Sequence, residues 1–147
     1  MKMNLDHVGV VVKDLEKTAQ RYNDMLGLKT WSKGIAEDQK NGVRLLSLVT
    51  GDSFIELVQP TKSTNRFGKF LKERGEGFFH LCLFIEDFDT RVKSLKAKGY
   101  TIEEEESNID PEHKFRLAWI PPESPNGFWI ELVDMKAVPE DLLMHKF

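Results

Sequence analysis

The sequence predicts an α+β fold in which one βαβββ unit is used twice, the two units forming curved mixed sheets around a metal-binding cavity. Three observations predict it. Each half carries a histidine early in one strand-like segment and a glutamate late in another: His7 in LDHVGVVVKDL with Glu56 in SFIELV, and His80 in FFHLCLFIEDF with Glu131 in FWIELVD. The histidines are 73 residues apart and the glutamates 75. Each histidine is followed seven residues later by an aspartate, Asp14 or Asp87, and then by a glycine, Gly27 or Gly99, placed where a helix should stop.

The elements follow in order. LDHVGVVV is β-branched and reads as a strand. From Asp14, an N-cap residue, the period becomes helical, with Leu15, Ala19, Tyr22, Met25 and Leu26 on one side and Gly27 as the stop. Leu28 to Ile35 reads as a weakly patterned edge strand and Glu37 to Gly42 as a loop. VRLLSLV and SFIELVQ, separated by Thr50-Gly51-Asp52, read as a hairpin. Asn65 to Arg74 has helical spacing through Phe67, Phe70 and Leu71. The second half repeats the order: FFHLCLFI as strand, Asp87 to Lys98 as helix, then YTIEEEE, KFRLAWI and GFWIELV as strands. The run Glu103 to Glu106 reads as a solvated strand end. Pro139 in the tail is placed like a first-turn proline. The expected organisation is one domain over 1–147, with modules at 4–59 and 78–134, a connection at 60–77 containing a short helix, and a tail at 135–147.

Composition narrows the function. A net charge of −3 with dispersed lysines and arginines leaves no footprint for nucleic acid. The longest apolar runs, such as Val8 to Val12, are too short to span a bilayer, and the N-terminus lacks the pattern of a signal peptide, so no membrane partner is expected. The lone Cys82 lies in an apolar strand, which points to a buried thiol and a cytoplasmic location.

Strand alternation orients the repeated residues. His80, Cys82 and Phe84 share a face opposite Leu81, Leu83 and Ile85; Glu56 lies opposite Ile55 and Leu57; Glu131, with Trp129 and Val133, lies opposite Phe128, Ile130 and Leu132. The apolar sets should pack on the helices, which leaves each glutamate facing a cavity. A carboxylate buried there needs a partner. Two imidazoles and two carboxylates, His7, Glu56, His80 and Glu131, suit a six-coordinate divalent ion: cobalt, nickel, manganese, zinc or iron. Such an ion can polarise a substrate carbonyl. Two histidines and two carboxylates exceed the two-histidine, one-carboxylate set of iron oxygenases, which argues against a dioxygenase. Arg44 and Arg116, on related strands, are candidates for holding a carboxylate or phosphate or, equally, for a salt bridge at the sheet edge, and Trp129 for bounding the substrate. His113 and His145 are given no ligand role.

The segment DHVGVVVKDL, the duplicated order and the His/Glu register resemble the vicinal-oxygen-chelate superfamily, the group of glyoxalase I, extradiol dioxygenases, bleomycin-resistance proteins and methylmalonyl-CoA epimerases. The resemblance spans about residues 4–134. KFLKERGEGFFHLCLFIEDF and FRLAWIPPESPNGFWIELV are most similar to the epimerases. The resemblance implies a glyoxalase-like fold, the four residues above as metal ligands, a thioester substrate whose α-proton moves with Glu131 first and Glu56 second as proton-transfer groups, and a homodimer. Two positions depart from the epimerase pattern. The glutamate those proteins often carry before the Gly-Val of the third strand is absent before Gly42-Val43, where Glu37 or Asp38 lies slightly farther back. Their His-Pro-Lys-Ser segment reads Pro121-Pro122-Glu123-Ser124. Glu56, glutamine in several epimerases, is matched by glyoxalase I. The sequence therefore predicts an epimerase-like isomerase, with a glyoxalase I-like lyase as the first alternative and a non-catalytic, resistance-type binding protein as the second.

Overall fold

Val8, Val10 and Val11 favour an extended chain, and they lie in β1 (Met3–Val11), the first strand of the computed structural model, which describes residues 2–107, 109 and 114–140. There follow α1 (Leu15–Leu26), β2 (Ala36–Asp38), β3 (Val43–Val49), β4 (Phe54–Pro60), α2 (Arg66–Arg74), β5 (Gly77–Ile85), α3 (Phe88–Ala97), β6 (Glu103–Ser107), β7 (Phe115–Ile120), β8 (Trp129–Asp134) and a 3₁₀ turn, Met135–Ala137. The order is βαβββ twice with a helix between, which is the α+β fold expected. The chain divides into two compact units: His7–Phe79, and Met1–Asp6 with His80–Phe147.

In the unit His7–Phe79, β1 runs parallel to β4, β4 antiparallel to β3, and β3 antiparallel to β2. The helix α1 starts where Asp14 Oδ1 accepts from the Lys17 amide at 3.0 Å and stops at Gly27, whose φ of 70° is reached without strain only by glycine. Its inner side puts Leu15, Ala19 and Tyr22 against Leu46, Leu48, Ile55 and Leu57. Leu15, Leu48 and Leu57 are wholly buried, each side chain contributing about 1.5–3 kcal/mol of transfer free energy. The last helical turn departs from expectation. Met25 and Leu26 are 60% and 63% exposed, because Leu28, past the glycine cap, packs on the cluster instead.

The edge strand is also displaced. Leu28 to Ile35 makes only an isolated bridge, Thr30 to Leu48, and the strand forms in what reads as loop, at Ala36–Asp38. A tight turn explains this: Asp38 accepts from the Asn41 amide at 3.0 Å and from Asn41 Nδ2 at 2.8 Å, and Gly42 supplies a φ of 71°. The segment before β3 is thereby folded back onto it.

In the second unit β5 runs parallel to β8, β8 antiparallel to β7, and β7 antiparallel to β6. The helix α3 buries Phe88 and Val92 against Ile85, Ala118 and Leu132, with Leu83, Leu95 and Ile130 around them. The other side of β5 and β8 has its own cluster: Cys82, Phe84, Leu117 and Val133, closed by Met135 and Val138 from the tail. Cys82 is wholly buried and outside any disulfide. In both units the apolar sets opposite the glutamates pack on the helix, as alternation requires. Among the described residues, no helix is long and apolar enough to cross a membrane.

Candidate metal and catalytic site

Strand register brings histidine and glutamate together in the same way in each unit. In the first, His7 is level with Phe54 and Gly9 with Glu56; in the second, His80 is level with Trp129 and Cys82 with Glu131. Each glutamate therefore sits two residues beyond its histidine's partner on a parallel neighbour. A period of two puts both side chains on one face of the sheet. His7 Nε2 lies 3.4 Å from Glu56 Oε1, and His80 Nε2 lies 3.3 Å from Glu131 Oε2. The side chains of His7, Glu56, His80 and Glu131 are 9%, 16%, 1% and 10% exposed, so both pairs are largely dry.

The donor set fits a divalent ion. Nitrogen and oxygen ligands lie about 2.0–2.2 Å from such a metal, so two at right angles stand roughly 3 Å apart. Both pairs approach that separation, and imidazole with carboxylate suits borderline divalent ions. Each pair also brings an acceptor-only carboxylate within reach of an imidazole, an arrangement able to hold or pass a proton.

The surroundings of the two glutamates differ. Trp119 is level with Glu131 on β7, and Ser47 is level with Glu56 on β3. Trp119 packs edge-on to His80, with ring centroids 5.0 Å apart, and to Trp129 at 6.2 Å. Trp129, the expected boundary of the substrate, thus lies on the glutamate face. Phe54, level with His7, stacks at 5.2 Å on Trp31.

Both arginines lie on the other face. Arg44 is level with Gln59, on the helix side, and bonds Glu16 at 2.7 Å, Glu37 at 3.3 Å and Gln59 Oε1 at 3.3 Å. Arg116 bonds both carboxylate oxygens of Asp89 and also Asp134 Oδ2 at 3.3 Å, and stacks over Phe88 at 4.9 Å. Glu16 and Asp89 are the second residues of α1 and α3. The same clamp therefore ties each helix start to its sheet. The hydrogen bond from Arg44 holds the Glu16 carboxyl below its ordinary value, and that from Arg116 does the same to Asp89. Both guanidinium values are raised by the same bonds. Both arginines thus make ion pairs, the second of the two roles their sequence positions allow.

Glu37 is engaged by Arg44, and Asp38, 2% exposed, is held in its turn by Asn41. Glu105, in the acidic run, is half-buried and accepts from Trp119 Nε1 at 2.8 Å. The solvated reading of that run holds for Glu103, Glu104 and Glu106, which are exposed. Alternation along β6 is the signal that sets Glu105 apart from its neighbours. His113 and His145 lie outside the described residues.

A profile of the Glyoxalase/Bleomycin resistance protein/Dioxygenase superfamily matches residues 6–119. The chain is 30% identical over 129 residues to the mitochondrial methylmalonyl-CoA epimerase of Bos taurus, covering 87% of this chain and 72% of that protein. It is 28% identical over 141 residues to a probable chloroplastic lactoylglutathione lyase of Arabidopsis thaliana, covering 96% of this chain and 38% of the lyase. Among solved structures it is similar to a substituted methylmalonyl-CoA epimerase of Streptomyces coelicolor in complex with 2-nitronate-propionyl-CoA. The TM-score is 0.77 at 26% identity, over 93% of this chain and 97% of that one. With a superfamily profile covering most of its length and epimerases and lyases among its relatives, the chain belongs to the glyoxalase/bleomycin resistance protein/dioxygenase superfamily.

Proposed function

We propose that the protein is an epimerase of an acyl-CoA thioester and that His7, Glu56, His80 and Glu131 together hold one divalent cation. The observation that carries this is the duplicated His–Glu pair at identical register, 3.4 Å and 3.3 Å apart. Similarity to methylmalonyl-CoA epimerases supplies the substrate class. Whether the two pairs join within one chain or across two copies is part of the proposal.

The cation, when bound, supplies Lewis acidity at the thioester carbonyl, which acidifies the adjacent carbon. Glu131 takes the α-proton at a carboxylate oxygen, and Glu56 returns one to the opposite face. His7 and His80, whose Nε2 atoms face the glutamates, would hold the cation beside them. Trp129 and Trp119 bound the Glu131 side and keep water from the carbanion, so that the proton is returned by the protein. A homodimer belongs to the same reading, supported by Met3 and Leu5 on one side of β1 at 41% and 44% exposure. The single, buried cysteine, Cys82, supports a cytoplasmic location.

The test is exchange of the α-proton of methylmalonyl-CoA in deuterated buffer. Exchange that stops on chelation and returns with cobalt is expected. Bound metal with no exchange would overturn the substrate assignment, and no metal under any loading condition would overturn the site. A second reading, isomerisation of a hemithioacetal by a glyoxalase I-like lyase, is favoured by the carboxylate at Glu56 and by the similarity to lactoylglutathione lyase. In that case exchange fails with the thioester and turnover appears with methylglyoxal and glutathione.

A further inference from the structure

We infer that Glu105 is a positioning residue for the His80–Glu131 pair, acting through the Trp119 indole; the inference rests on the role proposed above for that pair. Glu105 is level with Leu117, and Trp119 lies two residues further along β7, level with Glu131 on β8. A diagonal cross-strand neighbour is within reach of a long side chain. Trp119 is 2% exposed, so its indole N–H needs an acceptor inside the protein. Glu105 Oε1 supplies it at 2.8 Å, and a carboxylate acceptor makes the bond stronger than a neutral one would.

The bond fixes the angle of a large, flat side chain. The indole presents its edge to His80, with 5.0 Å between centroids and 72° between planes. It meets Trp129 at 84°, and Trp129 is itself level with His80 on β8. His80 is 1% exposed, so its ring cannot turn while that wall stands. Glu105 thereby sets the plane in which Nε2 meets Glu131. The matching positions beside the other pair hold different residue types. Ala36 is level with Leu45 where Glu105 is level with Leu117, and Ser47 occupies the Trp119 position. The device serves the half that carries the proposed base.

The test titrates cobalt(II) alone into the wild type and into Glu105→Leu, Glu105→Gln, Trp119→Phe and the Leu/Phe double variant. Visible absorption reads the geometry at the ion, and circular dichroism reads the fold. Glu105→Leu should alter the cobalt spectrum and weaken binding about tenfold, the usual scale for groups that orient a metal ligand. Glu105→Gln, which keeps an acceptor oxygen, should restore both to within about twofold of wild type. Trp119→Phe should act like Glu105→Leu, and the double variant should be no worse than either single change, since the two act as one unit. With methylmalonyl-CoA, Glu105→Leu should lower kcat and leave KM unchanged. A wild-type cobalt spectrum in Glu105→Leu, or fully additive losses in the double variant, would overturn the inference. If Glu105→Leu fails to fold, Glu105→Gln and Trp119→Phe carry the comparison. A wild-type protein that binds no cobalt would instead overturn the site assignment on which the inference rests.

Discussion

Replacing Glu131 by glutamine separates a metal ligand from a structural ion pair, because the two roles predict different changes in stability. Glu131 is 7% exposed and its Oε2 stands 3.3 Å from His80 Nε2. If the pair were a buried salt bridge serving the fold, removing one charge would cost roughly 3–5 kcal/mol. For a chain of 147 residues each kcal/mol moves the melting temperature by about 3–4 °C, a fall of roughly 10–20 °C. If Glu131 awaits a cation, glutamine keeps its shape and removes a carboxylate that is costly to bury. The metal-free protein should then melt within about 3 °C of wild type. Cobalt shows the complementary effect. At about a hundred times its dissociation constant, the ion stabilises the wild type by about 2.7 kcal/mol, roughly 8–11 °C. A hundredfold weaker variant at the same concentration retains about 0.4 kcal/mol, near 1 °C. The assay is thermal unfolding followed by circular dichroism, with and without cobalt, alongside turnover, which should fall by about 10²–10⁴-fold. A large loss of metal-free stability with an undiminished cobalt shift would refute the ligand role of Glu131.

Other consequences are as specific. Leu57→Ala, at a wholly buried position beneath α1, should cost about 2–5 kcal/mol in denaturant unfolding; a loss below about 1 kcal/mol would mean the cluster collapses around the gap. Gly68→Ala would bring a Cβ within 2.1 Å of the Lys62 carbonyl oxygen, a backbone atom that cannot swing aside. Destabilisation of about 1–3 kcal/mol is expected, and a wild-type melting point would show that the start of α2 can shift. The depressed carboxyls of Glu16 and Asp89 contribute stability above their ordinary pKa values and lose it as pH falls through the folded ones. Arg44→Met and Arg116→Met should therefore narrow the stability difference between neutral and acid pH. Both carboxylates are solvent-exposed, so salt should shrink the effect; an unchanged acid limb would count against the clamps.

What the sequence made legible follows from which interactions are local. Asp14 and Gly27 bound α1 because a cap and a left-handed glycine are decided within one turn. The His–Glu pairs were legible because strand alternation is a period-two rule and the repeat applied it twice. The displaced edge strand was not, since Ala36–Asp38 is stabilised by pairing to Val43–Leu45 through a turn at Asp38 and Asn41. The Asp-to-Asn-Gly spacing there was the available signal. Met25 and Leu26 followed helical period yet stayed exposed, because period says which side faces inward and not how far the partner surface extends. The partners of the arginines were not legible because Glu16 lies 28 residues from Arg44, and Asp89 27 from Arg116. Charge matching at that range is set by tertiary structure. Glu105 was hidden in a run of like residues, from which its partial burial and its bond to Trp119 distinguish it.

The central claim is that two separately built His–Glu pairs hold one ion. Its most direct measurement is the cobalt stoichiometry of the wild type, His7→Ala and His80→Ala after dialysis. One ion per chain in the wild type, lost on either substitution, is the predicted result. Two ions per chain, or loss of half the metal with each single change, would show two independent sites and contradict the account.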